Sequence, residues 1–391
     1  MLMKTIHFLL LLVLCLACET DQVKTKQSPR LTSNAQPPYA TKIDQLFKDF
    51  ATNNSPGYAI GITKGDQVLY SKGYGLANLE YDIPLSTKSV FSIASVSKQF
   101  TGACIALLLQ EGKLSLNDDA ATFIPELNKY PETIQIKHLI YNTSGLVDYH
   151  RLPRATGKSW ITFNYFDIDE AIQTSLAQEQ LSFKPGEKWD YCNVNFMLLT
   201  KIVEQVSGMP FREFITKRLF QPLQMHDSRI NDDITQIVKN RVIPYNYRTS
   251  ETIDSYRDYG IQLNPEGAFV QHPRTSPHYG GSGVMTTVED LMRWAINFHT
   301  KEVGGEPFYR LMQQTMKFAH DRDNQALGLY IGDFNGRKIV AWDGGDWGIS
   351  SQLMRFPEEG IAIICLSNLG SGEAFRKVNQ IADILIEAGE M

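Results

Sequence analysis

Ser95-Val96-Ser97-Lys98 is the stretch on which the reading of this chain turns. It has the form Ser-x-x-Lys and opens a run with Phe100, Cys104, Leu107 and Leu108 at helical spacing. That spacing predicts a helix from Ser95 to Glu111. Residues i and i+3 of a helix share a face, so the Lys98 amine can sit over the Ser95 hydroxyl. Serine is a poor nucleophile until a neighbouring base takes its proton, and a neutral lysine can do so. Free lysine titrates near ~10.4. Burial and the positive end of the helix dipole both disfavour its charged form and push Lys98 toward the amine. The pair is the only Ser-x-x-Lys in the chain. Taken alone it also suits a helix N-cap followed by a solvated lysine.

The rest of the chain bounds the answer. With 43% hydrophobic and 21% charged residues, its 391 residues can bury a large core and form two structural lobes. The net charge is -5 and no Lys/Arg cluster occurs, which argues against nucleic acid as a partner. There is no His-Glu-x-x-His, no P-loop and no dinucleotide fingerprint. No metal or cofactor is therefore expected. Cys104, Cys192 and Cys365 form no paired framework and are expected as free buried thiols.

The first residues are read as an export signal, not as fold. Lys4 precedes the uninterrupted apolar run Phe8 to Ala17, too short for a resident membrane span and suited to a signal-peptide core. Leu16-Ala17-Cys18 resembles a bacterial lipoprotein cleavage box, with Cys15 where the box usually carries leucine. The resemblance implies acylation of Cys18 and anchoring to a membrane without a transmembrane helix. Plain secretion is the alternative. Residues 19–38 are polar, with Lys, Gln, Ser, Asn and Pro, and read as a flexible tether.

Strands are expected at both ends of the remaining chain. Tyr58 to Ile62 and Gln67 to Tyr70, joined through Gly65-Asp66, read as a hairpin. Lys338 to Ala341, Ser351 to Phe356 and Ile361 to Leu366 read as strands near the other end. Between them helices are expected at Phe196 to Val206, closed by Gly208, and at Pro210 to Phe220. Thr286-Thr287-Val288-Glu289 has the form of a capping box. A last helix aligns Phe375, Val378, Ile381, Ala382 and Leu385. The economical architecture is α/β (α+β). One antiparallel sheet is built from both chain ends and flanked by helices, with an all-α lobe inserted. The α/β lobe takes about 39–95 and 285–391, the helical lobe about 96–284.

Two further motifs carry chemistry. Tyr191-Cys192-Asn193 is the only Tyr-x-Asn in the chain. A tyrosine sharing a proton with Lys98 can relay it from serine to leaving group, and an asparagine amide can donate to a substrate carbonyl. Trp342-Asp343-Gly344-Gly345 ends a strand. Glycines there let a substrate approach the strand edge, and the N–H of Gly345 with that of Ser95 can form an oxyanion hole. On spacing alone, a loop before a helix is the preferred reading of the first motif and a tight turn between two strands that of the second.

Together, Ser95-x-x-Lys98, Tyr191-x-Asn193 and the C-terminal x-x-Gly strand resemble the serine β-lactamase and penicillin-binding-protein group, in its class C-like branch. Phe91-Ser92-Ile93-Ala94, Glu111-Gly112-Lys113-Leu114, Thr143-Ser144-Gly145-Leu146 and Pro185-Gly186-Glu187 are similar as well. The resemblance implies a β-lactamase-like fold with Ser95 as acylated nucleophile, Lys98 as base and Tyr191 as second acid/base. Asn193 would position substrate, and Gly345 would be the second oxyanion donor.

The third motif departs from the family. Trp342 stands where a Lys or His usually helps hold a substrate carboxylate. This favours neutral esters or amides, resembles the Trp-x-Gly variant of some esterases, and lets an aryl or acyl group stack on Trp342. The leading expectation is an exported serine esterase or amidase. The alternatives are a β-lactamase or D,D-carboxypeptidase/D-aminopeptidase and, in another class, a non-catalytic envelope binding protein. Ser159 to Phe166 and Pro244 to Gly283 are dense in aromatic residues and are weighed as cleft walls against ordinary loop packing.

Overall fold

The computed structural model describes residues 37–391, apart from 53, 162, 163, 320, 321 and 371. The expected export signal, Cys18, nearly all of the tether and Phe163 lie outside the described residues. No described helix is long and apolar enough to cross a membrane.

Strands β1 (Tyr58–Lys64) and β2 (Gln67–Tyr74) form the hairpin, with Gly65 at a φ of 61° in its turn. From the far end come β3 (Tyr330–Phe334), β4 (Arg337–Asp346), β5 (Ile349–Phe356) and β6 (Ile361–Ser367). They make one six-stranded antiparallel sheet in the order β3-β4-β5-β6-β1-β2. The two chain ends meet where β6 pairs with β1, Cys365 opposite Ile60. The α/β fold with a sheet made from both ends is therefore present.

β6 explains why this junction is central. Its seven residues, Ile-Ala-Ile-Ile-Cys-Leu-Ser, are all buried, as expected of a strand covered on both faces. Ile361, Ile363 and Cys365 face one core with Tyr58, Ile60 and Ile62. Ala362, Ile364 and Leu366 face the other with Ala59 and Leu353. Each fully buried large aliphatic side chain contributes about 1.5–3 kcal/mol.

Helices α1 (Ala40–Leu46) and α5 (Glu373–Glu387) cover the first face, bringing Ile43, Val378, Ile381 and Leu385. On the second face the larger core includes α2 (Lys98–Gln110), α3 (Asn193–Ser207) and α4 (Val288–Thr300). Gly61 lets α4 lie against β1, since a Cβ there would come within 2.6 Å of Val288 Cγ1.

Several boundaries differ from expectation. The Ser95 stretch starts as a 3-10 turn, Ala94–Ser97, and α2 begins only at Lys98. Ala94 takes the left-handed φ of 44°, and the Ser97 hydroxyl accepts from the Val284 N–H at 3.0 Å, tying the turn to a neighbouring strand. α3 begins at Asn193, three residues before the expected Phe196, and ends at left-handed Gly208 as expected. The helix after Pro210 is α-helical over Phe211–Ile215 and widens to a π-turn over Thr216–Phe220. The cap of α4 is Thr287 rather than Thr286, and Asp290 accepts from Ser228 at 2.8 Å instead of closing a box. On α5 the buried place expected for Phe375 is taken by Ala374, a smaller residue that lets the helix approach the sheet. Phe375 is half exposed.

Candidate active site

The 3-10 turn, the start of α2, the start of α3 and strand β4 converge on Ser95. Lys98 is the first residue of α2 and is wholly buried. Its Nζ lies 3.2 Å from Ser95 Oγ, 2.8 Å from Asn193 Oδ1 and 2.6 Å from the Gly281 carbonyl oxygen. The ammonium form uses all three protons on these acceptors. The neutral form donates to Asn193 and Gly281 and keeps its lone pair for the Ser95 hydroxyl. Burial drives the Lys98 pKa down to about 7, against the opposing charges of Asp148 and Asp343.

Tyr191 completes the arrangement. Its Oη lies 2.6 Å from Ser95 Oγ, and the Lys98 amine sits 4.6 Å from its ring centroid. Desolvation pushes the phenol pKa well up, outweighing the lowering effect of the Ser95 hydrogen bond, so Tyr191 holds its proton. Asn193 presents its carbonyl oxygen to Lys98, which turns its NH2 group away from the lysine. Buried Asp148 accepts from the Asn193 N–H and from the His150 N–H, fixing the start of α3 beside the preceding loop.

β4 passes under the serine turn. Gly344 is buried, and a Cβ on it would meet Ser351 Oγ at 2.4 Å, the Ile93 carbonyl at 2.5 Å and Ser95 N at 3.0 Å. Only glycine lets the strand come this close. Gly345 is exposed, and a Cβ there would find nothing within 4 Å. It lines open space together with Ser95, where an oxyanion would lie. Ser351 supports the turn from β5 by donating to the Ile93 carbonyl at 2.7 Å.

Two cavities meet at Ser95 and differ in character. One, of about 560 Å3, is walled by Trp189, Tyr191, Trp342, Tyr330, Met354 and Phe375. Trp342 lies nearly parallel to Tyr191, ring centroids 6.5 Å apart, and the Arg322 guanidinium stacks 3.6 Å from the Trp189 centroid. Asp343 shares this wall. The other, of about 420 Å3, is lined by Tyr149, His150, Trp160, His278, Asp346 and Trp347, among others. There Arg274 pairs with Asp346 at 2.7 Å. Burial would lift the Asp346 carboxyl, but Arg274 and His278 hold it at about 2. Desolvation holds His278 at about 4, so it is neutral near pH 7.

Both aromatic loops thus line the second cavity. Trp160 and Phe166 are fixed there by Arg154, which donates to the Ser159 and Tyr165 carbonyls and pairs with Glu170 at 2.8 Å. Tyr259, His278 and Gly281 come from the later loop. Sequence reasoning missed Asp148, the Arg274–Asp346 pair and the Gly281 carbonyl. The first follows the quoted Gly145-Leu146 stretch closely enough to have been found; a backbone acceptor carries no signal in residue type.

The family model for Beta-lactamase matches residues 43–388. The chain belongs to the beta-lactamase family. Among curated relatives, "Protein flp" of Staphylococcus aureus is 28% identical over 351 residues, covering 88% of this chain and 65% of that protein. The chain therefore spans about 65% of the length of the first such relatives. A solved octameric penicillin-binding protein homologue from Pyrococcus abyssi has a TM-score of 0.74 at 25% identity, covering 89% of this chain and 77% of that one. The D-amino acid amidase of Ochrobactrum anthropi SV3 shares the fold with a TM-score of 0.75 at 18% identity, over 90% and 99% of the two chains. The expected fold, and the expected kinship with penicillin-binding proteins and serine hydrolases, are borne out.

Proposed function

We propose that this protein is a serine hydrolase that cleaves neutral ester or amide substrates through an acyl-enzyme on Ser95. The observation that carries the reading is Lys98, buried with two fixed acceptors and its remaining valence on Ser95 Oγ. Lys98 in its amine form takes the Ser95 proton as Oγ attacks the carbonyl carbon. The N–H groups of Ser95 and Gly345 receive the developing oxyanion. Tyr191 passes its proton to the departing oxygen or nitrogen and is reprotonated by the proton that Lys98 took from Ser95, and water then attacks the acyl-enzyme by the reverse relay. Asn193 holds Lys98 through its oxygen and offers its NH2 to substrate. No step calls on a cofactor.

Trp342 and its aromatic neighbours support an aryl or acyl substrate group on that side. In the other cavity the Arg274 charge is engaged by Asp346. A second reading, a D,D-peptidase or β-lactamase, is favoured by Arg322, a cation on the wall that Ser95 shares. We extend the proposal to organisation: 1–18 is an export signal with acylation at Cys18, 19–38 a tether and 39–391 the hydrolase domain, facing the envelope.

Hydrolysis of p-nitrophenyl butyrate and of a chromogenic cephalosporin, by wild type and Ser95→Ala, tests the reading. Ester turnover that disappears in the variant, with slow cephalosporin cleavage, is expected. Fast Ser95-dependent cephalosporin cleavage makes it a β-lactamase. Binding of these compounds without turnover returns the non-catalytic reading.

A further inference from the structure

Folding makes little use of the Phe375 side chain. It is 49% exposed, although its helix α5 carries Ala374, Val378 and Ile381 into the core. Tyr330, at the start of β3, is exposed as well. Its ring lies against Gly332, where a Cβ would come within 2.3 Å of it. Large apolar side chains exposed singly need no explanation. These two share a cavity, and it is the cavity of about 560 Å3 that begins at Ser95.

The register of the sheet shows how one cavity holds both. Trp342 lies opposite Leu353 and Gly344 opposite Ser351, on the face toward the Ser95 turn. Side chains alternate along a strand, so Ala341 and Asp343 point the other way. Ala341 lies opposite Met354, and both belong to the core beneath α5. β3 pairs with β4 only as far as Ala341, opposite Tyr330. From Trp342 on, no strand among the described residues covers the outer edge of β4. The cavity passes round that open edge. Ser95, Tyr191 and Trp342 line it on one face of the sheet, and Ala341, Met354 and Phe375 on the other.

This shape selects a ligand. From Gly345 to Ala341 is roughly 14 Å at strand rise. That is the length of an extended chain of about ten carbons at standard bond lengths. Arg322, Asp333 and Asp343 also line the cavity, but all three are exposed and keep their hydration. The rest of the contact is offered by Trp342, Met354, Tyr330 and Phe375. An unbranched apolar chain is slim enough to turn round a strand edge and gains by contact alone. A flat aryl group would fill the Trp342 end and leave Tyr330 and Phe375 bare.

We propose that the substrate of Ser95 carries a linear apolar chain of about eight or more carbons, which turns round the open edge of β4 and ends against Tyr330 and Phe375. The proposal rests on the ester or amide hydrolase reading and narrows it. The chain belongs to the acyl part or to the leaving part of the substrate, and the test separates the two.

The test is kcat/KM for two ester series, p-nitrophenyl acetate to decanoate and ethyl to decyl acetate, each kept below its solubility limit. The readout is the ratio of long to short ester within each protein. In wild type one series is expected to rise about twofold per methylene, half the free energy of a fully buried one. A rise with the p-nitrophenyl esters makes the chain acyl, and a rise with the acetates makes it the alcohol. Phe375→Glu puts a carboxylate in the first turn of α5, which suits the helix. It is expected to lower the octyl-to-ethyl or octanoate-to-acetate ratio at least about fivefold. Tyr330→Ser is expected to lower the same ratio, and it decides the matter where Phe375→Glu does not melt as a folded protein. Two flat series overturn the proposal, as does a rise that both variants keep. If no ester shows Ser95-dependent turnover, the hydrolase reading falls instead. The groove is then judged by binding of octyl acetate to Ser95→Ala, followed by tryptophan fluorescence. Saturable binding that Phe375→Glu weakens at least about fivefold upholds the groove, and no binding overturns it.

Discussion

Lys98 and Arg355 are both buried cations beneath the same sheet, and they are solved in opposite ways. Lys98 has three oxygen acceptors within 3.2 Å. Arg355 has none among the described residues. Lysine can discharge itself by losing a proton, and burial brings that proton within reach of neutral pH. Arginine gives up its proton far less readily, and burial lowers the Arg355 pKa only to about 9, so its charge stays at neutral pH. Burial alone therefore does not mark a catalytic group. The acceptors around the cation, and whether it can become neutral, decide whether the site moves protons or holds charge.

The largest expected effect comes from breaking this difference at Lys98. Lys98→Arg keeps a cation but removes the base, and kcat/KM for p-nitrophenyl butyrate is expected to fall by at least ~10^3, as far as in Lys98→Ala. Near-wild-type turnover in the arginine variant would show that only charge is needed there. Tyr191→Phe leaves the lysine base in place and removes the relay. A loss of about 10^2 in kcat is expected, larger for an amide than for an activated ester whose leaving group needs no proton. Equal losses on both substrates would take Tyr191 out of leaving-group protonation.

The pH profile comes next. With the amine as the active form, kcat/KM is expected to rise about tenfold per unit below pH 7 and to level off above it, following the Lys98 pKa of about 7. A flat profile from pH 5 to 8 would contradict a neutral-lysine base. The smallest effect is on stability. The folded-state pKa lies below that of the free side chain, so between about 7 and 10.5 the unfolded chain binds more protons. Stability then rises with pH across that window, and the full cost of the buried charge is felt below it. Lys98→Met is accordingly expected to be more stable than wild type at pH 6 by about 1–3 kcal/mol, with the gain shrinking toward pH 10 in denaturant titrations.

The groups around Lys98 were legible because they are short local patterns of rare composition. Ser95-x-x-Lys98 and Tyr191-x-Asn193 each occur once, and the fold brings them within hydrogen-bonding distance. The sheet was legible because β6 is apolar from Ile361 to Leu366 and β1 and β2 share a tight turn. What escaped was long-range or backbone-borne. Gly281 reaches Lys98 across 183 residues through a carbonyl that every residue type owns. Arg274 and Asp346 are a pair only in three dimensions. The 3-10 turn at Ser95 depends on left-handed Ala94, which nothing in an alanine announces. Arg355 left one trace, a charge inside the apolar Leu353-Met354-Arg355-Phe356 run at a position whose strand neighbours face the core.

The meeting of β1 with β6 also sets an order of events during synthesis. Tyr58 pairs with Ser367, so once β1 has left the ribosome it waits for more than 300 further residues before its partner exists. Contacts of such span close slowly. Until then β1 and β2 form a hairpin whose free edge, Tyr-Ala-Ile-Gly-Ile, can pair with another chain. A nascent chain of this protein is thus most vulnerable to aggregation late in translation, and a stop codon anywhere before Ile361 would leave that edge open for good.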